Sequence, residues 1–121
     1  MALRVATYNV NSVRARLPVL GPWLDRARPD IVCLQETKVV DEAFPADAFR
    51  ALGYRSVFRG QKSYNGVAIL STKEPSDVRF GLEDEGPQDE TRLAAASFGK
   101  IHVVNTYVPQ GRDVDDPMFA Y

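Results

Sequence analysis

The stretch Ile31-Val32-Cys33-Leu34-Gln35-Glu36-Thr37-Lys38 decides the fold class, because in it an apolar run passes directly into polar residues. Alternate residues of a strand point to opposite faces of its sheet, and residues 31–34 are apolar on both faces. Residues 67–70 repeat the pattern as Val-Ala-Ile-Leu. A sheet with one face in water would alternate between apolar and polar residues. The sequence therefore predicts an α/β protein whose sheet is covered on both faces.

Helices and strands are predicted on either side of this strand. Apolar residues recur at helical spacing after Asn11-Ser12, which offers a helix cap, most naturally at Asn11. Pro18 and Gly21 should make this helix irregular near its middle. A second, short helix is predicted over residues 46–52, and Gly99-Lys100 predicts a hairpin. The predicted strands cover residues 3–8, 31–35, 54–59, 66–71, 76–82, 93–98 and 101–108.

The two predicted helices can cover only one face of the sheet. We find no further element in the pattern for the second face, and so expect one mixed β-sheet flanked by helices, with a second layer missing from the chain. Residues 1–121 would then form a single incomplete domain. Because another copy or a complementing half would have to supply the cover, we expect self-association or such a partner.

Composition and charge narrow the class of protein. The chain has 121 residues and a formal net charge of −1, so any binding of a polyanion must come from a local patch. Cys33 is the single cysteine, which excludes an intrachain disulfide, and its apolar neighbours predict a buried reduced thiol rather than a nucleophile. There is no signal segment and no apolar stretch of about 20 residues. We expect a soluble, cytoplasmic protein.

Polar side chains follow three of the predicted strands, where α/β proteins build their sites. Glu36 is either an exposed carboxylate at a strand end or a ligand for a hard divalent cation such as Mg²⁺, which prefers oxygen ligands. Asn9 is either a turn residue or a contact for phosphate or metal-bound water. Asn11 has similar alternatives, with the helix cap favoured. Tyr107 is either a packing residue or a hydroxyl aimed at a phosphate.

Other side chains also have a plain structural interpretation beside a functional one. Tyr64-Asn65-Gly66 is either a turn before a strand or a segment that places an aromatic ring against nucleic acid. His102, in the middle of a strand, is more simply a packed or edge residue than a catalyst. Three basic residues are either solvated surface charges or a phosphate-facing patch, namely Arg14, Lys38 and Lys62.

Five motifs occur in order along the chain, at residues 8–16, 34–38, 53–54, 60–71 and 107–111. Together they resemble the exonuclease III family, the abasic-site endonucleases of the endonuclease/exonuclease/phosphatase superfamily. The resemblance runs through essentially the whole chain. Its Gln-Glu element is shared across the superfamily, whereas Arg14-Ala15-Arg16 and residues 60–68 are typical of the DNA-repair branch.

The resemblance implies roles for individual residues. Glu36 matches the glutamate that holds the catalytic Mg²⁺ or Mn²⁺, and Asn11 falls at another metal-side position. Asn9 matches the asparagine near the scissile phosphate, and Tyr107 matches the tyrosine that contacts the target phosphate. The residues implied to contact DNA are Arg14, Lys38, Lys62, Tyr64, Asn65 and Gln110.

The implied reaction is hydrolysis of a phosphodiester 5′ to an abasic site in duplex DNA, together with 3′-to-5′ exonuclease action. The family fold is a four-layer α/β sandwich, so we expect this chain to be its N-terminal half. The family's Gly-Asp-Asn element, a later aspartate and a terminal Asp-His pair do not occur here. We therefore expect the chain alone to be inactive or nearly so.

Two other functions stay open at this point. One is a phosphodiesterase or phosphatase of the same superfamily that acts on phospholipid, inositol phosphate or RNA, against which the basic Arg14-Ala15-Arg16 segment argues. The other is a non-catalytic truncated product, or a split subunit that binds DNA or a complementing half.

Overall fold

The computed structural model describes residues 3–60, 65–80 and 93–107. These residues form two β-sheets and two α-helices, with one short 3-10 helix over Asp41–Ala43. The strands are β1 (Val5–Asn9), β2 (Ile31–Gln35), β3 (Arg55–Arg59), β4 (Val67–Ser71), β5 (Ser76–Phe80), β6 (Leu93–Phe98) and β7 (Ile101–Thr106), and the α-helices are α1 (Val13–Ala27) and α2 (Ala46–Ala51).

The strand with the continuous apolar run, β2, lies inside a four-stranded sheet. The strand order is β1-β2-β4-β3, with β2 parallel to β1 and antiparallel to β4. Leu24 of α1 and Phe49 of α2 are fully buried in one apolar core with Leu34 of β2. The predicted α/β class, with helices on one face of a mixed sheet, is therefore confirmed.

The second face of this sheet is covered by strands β5, β6 and β7. They form a separate antiparallel sheet in the order β5-β6-β7. Ala94 and Ala96 of this sheet share a second apolar core with Cys33 and Ile69 of the first. The expectation that nothing in the chain covers this face is wrong. Self-association was expected because the face was thought to be uncovered, so that reason for it no longer holds. A strand that is apolar on both faces indicates that both faces are buried. It does not indicate which strands pair in the same sheet.

Helix α1 starts from a serine cap. The Ser12 hydroxyl accepts a hydrogen bond from the Ala15 backbone N–H at 3.2 Å, which satisfies one of the donors left free at a helix start. The prediction of a cap at Asn11 is wrong, because the Asn11 side-chain oxygen accepts a hydrogen bond from Lys38 Nζ instead.

Two prolines lie inside α1 and do not interrupt it. Pro18 and Pro22 each remove one backbone hydrogen bond, but the helix is continuous from residue 13 to residue 27. Both prolines are on the exposed side of the helix, where water can bind the carbonyl groups they leave without a partner. Of the helices in the described ranges, none is both long and apolar enough to cross a membrane.

The remaining predicted segments agree with the structure within one or two residues at their ends. The hairpin at Gly99-Lys100 joins β6 to β7, and Gly99 adopts φ +64°, a left-handed value that such turns favour. The predicted strand over residues 76–82 is β5, and its last two residues lie outside the described ranges.

Candidate functional site

The polar residues that follow β1, β2 and β7 come together at one end of the two sheets. Since β1 and β2 are parallel, with Asn9 opposite Gln35, their carboxyl ends lie side by side. Tyr107 directly follows β7, and its hydroxyl donates a hydrogen bond to Glu36 Oε1 at 2.8 Å. The fold thus unites Glu36 from the first sheet with Tyr107 from the second.

Backbone pairing with residues 10–13 holds the Glu36 loop on one side. Three backbone N–H groups donate to consecutive carbonyl groups of residues 35–37, so that the pairing of β1 with β2 continues past the ends of both strands. The donor–acceptor pairs are Val10 N–Gln35 O at 3.0 Å, Ser12 N–Glu36 O at 2.8 Å and Val13 N–Thr37 O at 3.0 Å.

On its other side the loop is held by the turn before β4. Thr37 N donates to Gly66 O at 3.2 Å, and Lys38 N donates to Asn65 O at 3.0 Å. Thr37 is 1% exposed, and a Cβ atom added to Gly66 would collide with its hydroxyl oxygen. With φ +96°, Gly66 also has a conformation that side chains rarely adopt. This close approach explains why a glycine precedes β4.

Unusual backbone conformations concentrate in the same place. Among the described residues, seven non-glycine residues have positive φ, and five of them belong to the three segments around Glu36. Such conformations cost on the order of 1–3 kcal/mol each, and they persist where the surroundings impose them, often at functional sites. The five residues are Asn11 (φ 46°), Ser12 (φ 91°), Glu36 (φ 54°), Lys38 (φ 56°) and Asn65 (φ 51°).

A chain of polar contacts links Lys38 to the end of β1. Lys38 Nζ donates to Asn11 Oδ1, and the Asn11 backbone N–H donates to Asn9 Oδ1 at 3.1 Å. The ammonium group therefore lies at the site beside two amide groups. An ammonium and exposed amide groups beside a carboxylate can bind an anionic substrate such as a phosphate group.

The donor groups at this site fit a hard divalent cation better than zinc. The half-buried Glu36 carboxylate supplies two hard oxygen atoms, and its Oε1 accepts the hydrogen bond from Tyr107. The nearby amide oxygens of Asn9 and Asn11 are also hard donors. The described part of the chain has no group of three or more His, Cys, Asp or Glu side chains able to hold a metal. Mg²⁺ accepts such a set, because it often uses one or two carboxylates and retains several waters.

The residues predicted to bind DNA are only partly within the described ranges. Arg14 is exposed in the first turn of α1, and Asn65 lies in the turn that pairs with Lys38. The predicted site residues Lys62, Tyr64 and Gln110 lie outside the described residues.

Two residues with a plain structural interpretation take no part in the site. Cys33 is a buried free cysteine, and its burial raises the pKa of the thiol to about 11, so it stays protonated near neutral pH. His102 lies on the edge strand β7, where its Nδ1 shares a hydrogen bond with the Ser97 hydroxyl at 2.7 Å. The predictions of a buried thiol and an edge histidine are confirmed.

Gln35 and Asn105 lie next to the site and are not among the site residues predicted from the sequence. Gln35 Nε2 donates to Asn105 Oδ1 at 2.8 Å, which joins the first sheet to the second. A signal was present, because asparagine is depleted in strands and this one occurs two residues before Tyr107 in an otherwise β-forming run.

Comparison with known proteins extends these observations. Residues 6–120 match the model of the Endonuclease/Exonuclease/phosphatase family. A curated relative, exodeoxyribonuclease III of Haemophilus influenzae, is 37% identical over 113 residues, which are 90% of this chain and 42% of the relative. The chain thus spans less than half the length of this relative.

Solved structures show the same relationship. An AP endonuclease from Archaeoglobus fulgidus superposes with a TM-score of 0.93 at 52% identity, over 99% of this chain and 46% of that one. A 3′ phosphatase from Neisseria, bound to a product DNA hairpin, superposes with a TM-score of 0.93 at 42% identity, over 99% of this chain and 47% of that one.

Proposed function

We propose, because this chain belongs to the endonuclease/exonuclease/phosphatase family, that its site serves a divalent-metal-dependent nuclease of DNA repair. The observation that carries the proposal is the 2.8 Å hydrogen bond from the Tyr107 hydroxyl to Glu36 Oε1. It joins two polar residues from different sheets at the place where the backbone conformations are most unusual. Two of the relatives, an exodeoxyribonuclease III and an AP endonuclease, support the same class of reaction.

The reaction we propose is hydrolysis of a phosphodiester 5′ to an abasic site, with 3′-to-5′ exonuclease action on duplex DNA. In this scheme Glu36 and Asn11 would hold Mg²⁺ or Mn²⁺, with Lys38 Nζ displaced from Asn11 Oδ1, and the bound ion would offset negative charge on the phosphate oxygens. The Tyr107 hydroxyl fixes the orientation of the Glu36 carboxylate and contacts the phosphate. Asn9 lies beside the scissile phosphate.

To contact DNA beyond the reacting phosphate, the protein needs a positively charged surface that binds the DNA backbone. Because the net charge is −1, that surface has to be local. The Lys38 ammonium and the exposed Arg14 both lie near the start of α1, which supports a path for the DNA backbone along this side. The proposed contact residues are Arg14, Lys38, Lys62, Tyr64, Asn65 and Gln110.

We also propose that the 121-residue chain alone is inactive or nearly so, and that a complementing half is its partner. Water activation and oxyanion support each contribute roughly 10²–10⁴ in rate, and the resemblance assigns them to motifs this sequence lacks. The surface around β1, which is an edge strand of the first sheet, supports the proposal of such a partner. A groove of about 490 Å³ lies between β1 and α1, and Val19 on its wall is 63% exposed. A strand of the partner fits such an edge.

The test combines metal binding with DNA cleavage. The chain alone should bind Mn²⁺ in a titration followed by electron paramagnetic resonance. Duplex DNA with one abasic-site analogue should be cut only when the chain is mixed with the part of the Haemophilus exodeoxyribonuclease III that it does not match. Cleavage should need Mg²⁺ and should disappear in EDTA.

Matched variants make this test specific. Glu36→Gln keeps the shape of the side chain and removes its charge, so it should abolish both metal binding and cleavage. Glu42→Gln makes the same change at an exposed carboxylate in the 3-10 helix and should alter neither. Cleavage that survives Glu36→Gln would refute the metal site. Cleavage by the unmixed chain would refute its inactivity, and hydrolysis of inositol phosphate or phospholipid in preference to DNA would refute the substrate.

A further inference from the structure

Gln35 and Asn105 form a hydrogen-bonded link between the two sheets. Asn105 lies on β7 and is 2% exposed, although an amide side chain seldom occupies the interior of a sheet pair. Its Oδ1 accepts a hydrogen bond from Gln35 Nε2 at 2.8 Å. Its Nδ2 donates to Leu34 O at 2.9 Å and to Ala68 O at 2.8 Å. One side chain of the second sheet is therefore bound to two adjacent strands of the first.

The link has a defined geometry because both polar atoms of the Asn105 side chain, Oδ1 and Nδ2, are hydrogen-bonded. Leu34 and Ala68 are directly opposite each other on β2 and β4, so the Asn105 amide bridges one residue pair of the first sheet. Gln35 Nε2 also donates to Thr7 Oγ1 at 2.9 Å, which extends the link to β1. A buried polar network that is fully satisfied permits one relative placement of the parts it joins, whereas apolar packing tolerates several.

The link lies immediately next to the proposed site on both strands. Gln35 precedes Glu36, and Asn105 is two residues before Tyr107 on the same side of the chain. The Tyr107 hydroxyl reaches Glu36 Oε1 only if β7 has its present position along β2. A displacement of the second sheet by about 1 Å along the line between the two oxygen atoms would lengthen the 2.8 Å contact beyond hydrogen-bond range.

We propose that Asn105 is a positioning residue, which through Gln35 sets the placement of Tyr107 against the carboxylate of Glu36. It does not touch the cation or the phosphate. It acts by fixing one sheet relative to the other at the point where the two halves of the site meet. The effect on the cation rests on the proposed function, whereas the effect on Tyr107 does not depend on it.

The test measures the hydroxyl of Tyr107 directly. In protein labelled with ¹³Cζ-tyrosine, Tyr107→Phe identifies the resonance, and Glu36→Ala gives its position without the hydrogen-bond acceptor. We expect Asn105→Ala to move the resonance toward the Glu36→Ala position. Val103→Ala is the matched control. Val103 is two residues before Asn105 on the same face of β7, and its side chain packs against the apolar core between the two sheets. It should leave the resonance in place.

A second readout follows the metal. Loss of a residue that orients a metal ligand commonly weakens metal affinity by about 10–100-fold, and we expect Asn105→Ala to weaken Mn²⁺ binding within that range while Val103→Ala does not. If the unsubstituted chain binds no Mn²⁺, the proposed function fails, and the Tyr107 resonance still decides the positioning role.

Either of two results overturns the proposal. One is a folded Asn105→Ala protein with the Tyr107 resonance unmoved, and the other is an equal movement in Val103→Ala. If Asn105→Ala does not fold, Gln35→Met replaces it. That change keeps the length of a half-buried side chain, removes the donor to Asn105 Oδ1, and should move the Tyr107 resonance in the same direction.

Discussion

Gly66→Ala should destabilise the protein far more than the same substitution at Gly99. Both glycines have positive φ, +96° at Gly66 and +64° at Gly99, so alanine is strained at either position. They differ in space, because a Cβ at Gly66 would collide with the Thr37 hydroxyl oxygen and a Cβ at Gly99 would meet nothing within 4 Å. The loss of freedom in the unfolded chain is the same for both substitutions and cancels in the comparison.

The size of the difference follows from these contacts. A strained backbone costs about 1–3 kcal/mol, and forcing an extra carbon into a packed site costs about another 1–3 kcal/mol. We expect the free energy of unfolding to fall by about 2–6 kcal/mol in Gly66→Ala, which has both costs. In Gly99→Ala it should fall only by the cost of the strained backbone, about 1–3 kcal/mol. With an m-value of about 1–3 kcal/mol/M, the midpoints of urea unfolding of the two variants should differ on the order of 1 M.

Urea unfolding followed by the fluorescence of Trp23 measures both variants. Adding Thr37→Ala to Gly66→Ala removes the oxygen that the new carbon meets, and it should restore part of the lost free energy of unfolding. Because the Gly66 carbonyl binds Thr37 N next to Glu36, Gly66→Ala should also weaken Mn²⁺ binding. Equal midpoints for the two glycine variants, or no recovery in the double variant, would show that the steric reasoning is wrong.

Three further outcomes are expected. Tyr107→Phe should weaken Mn²⁺ affinity measured by calorimetry about 10-fold or more, because the Glu36 carboxylate loses the donor that orients it, and an unchanged affinity would contradict this role. Ser12→Ala should lower the free energy of unfolding by about 1 kcal/mol in urea titrations, since the cap of α1 is lost, whereas Asn11→Ala should not remove a cap. Cys33 should react with a thiol reagent at pH 8 only as fast as the protein opens, because burial raises its pKa to about 11. Since the unfolded thiol ionises near the ordinary value of 9.0, stability should begin to fall as pH rises above that value. Cys33→Ala should reduce this fall, and the remainder at higher pH should come from groups such as Tyr54, whose pKa burial also raises.

The sequence predicted the individual elements better than their assembly. The strand over residues 31–35 was predicted with its observed bounds, because four consecutive apolar residues have to be buried on both faces. The second sheet was not predicted, since the local pattern of β5 to β7 identifies them as strands without indicating which sheet they join. Pairing between strands depends on contacts distant in the sequence, which periodicity does not record.

The candidate site shows a similar division. Glu36 and Tyr107 were identified as polar residues at strand ends, and their shared hydrogen bond emerged only from the structure. Ser12, and not the predicted Asn11, caps α1, because Lys38 from a separate loop binds the Asn11 side chain. Asn105 was missed for the same reason, since all of its partners lie on other strands.

The hydrogen bond between Glu36 and Tyr107 also has a consequence for the order of folding. The two residues are 71 positions apart in the sequence, and the partners of Asn105 are 37 to 71 positions away from it. Contacts of such long range require a large loop to close, so they form after local helices and hairpins. In a refolding experiment the ability to bind a cation should therefore appear last, when the two sheets have docked. A chain released from the ribosome before β7 is complete would have its helices and most of its first sheet, but no assembled site.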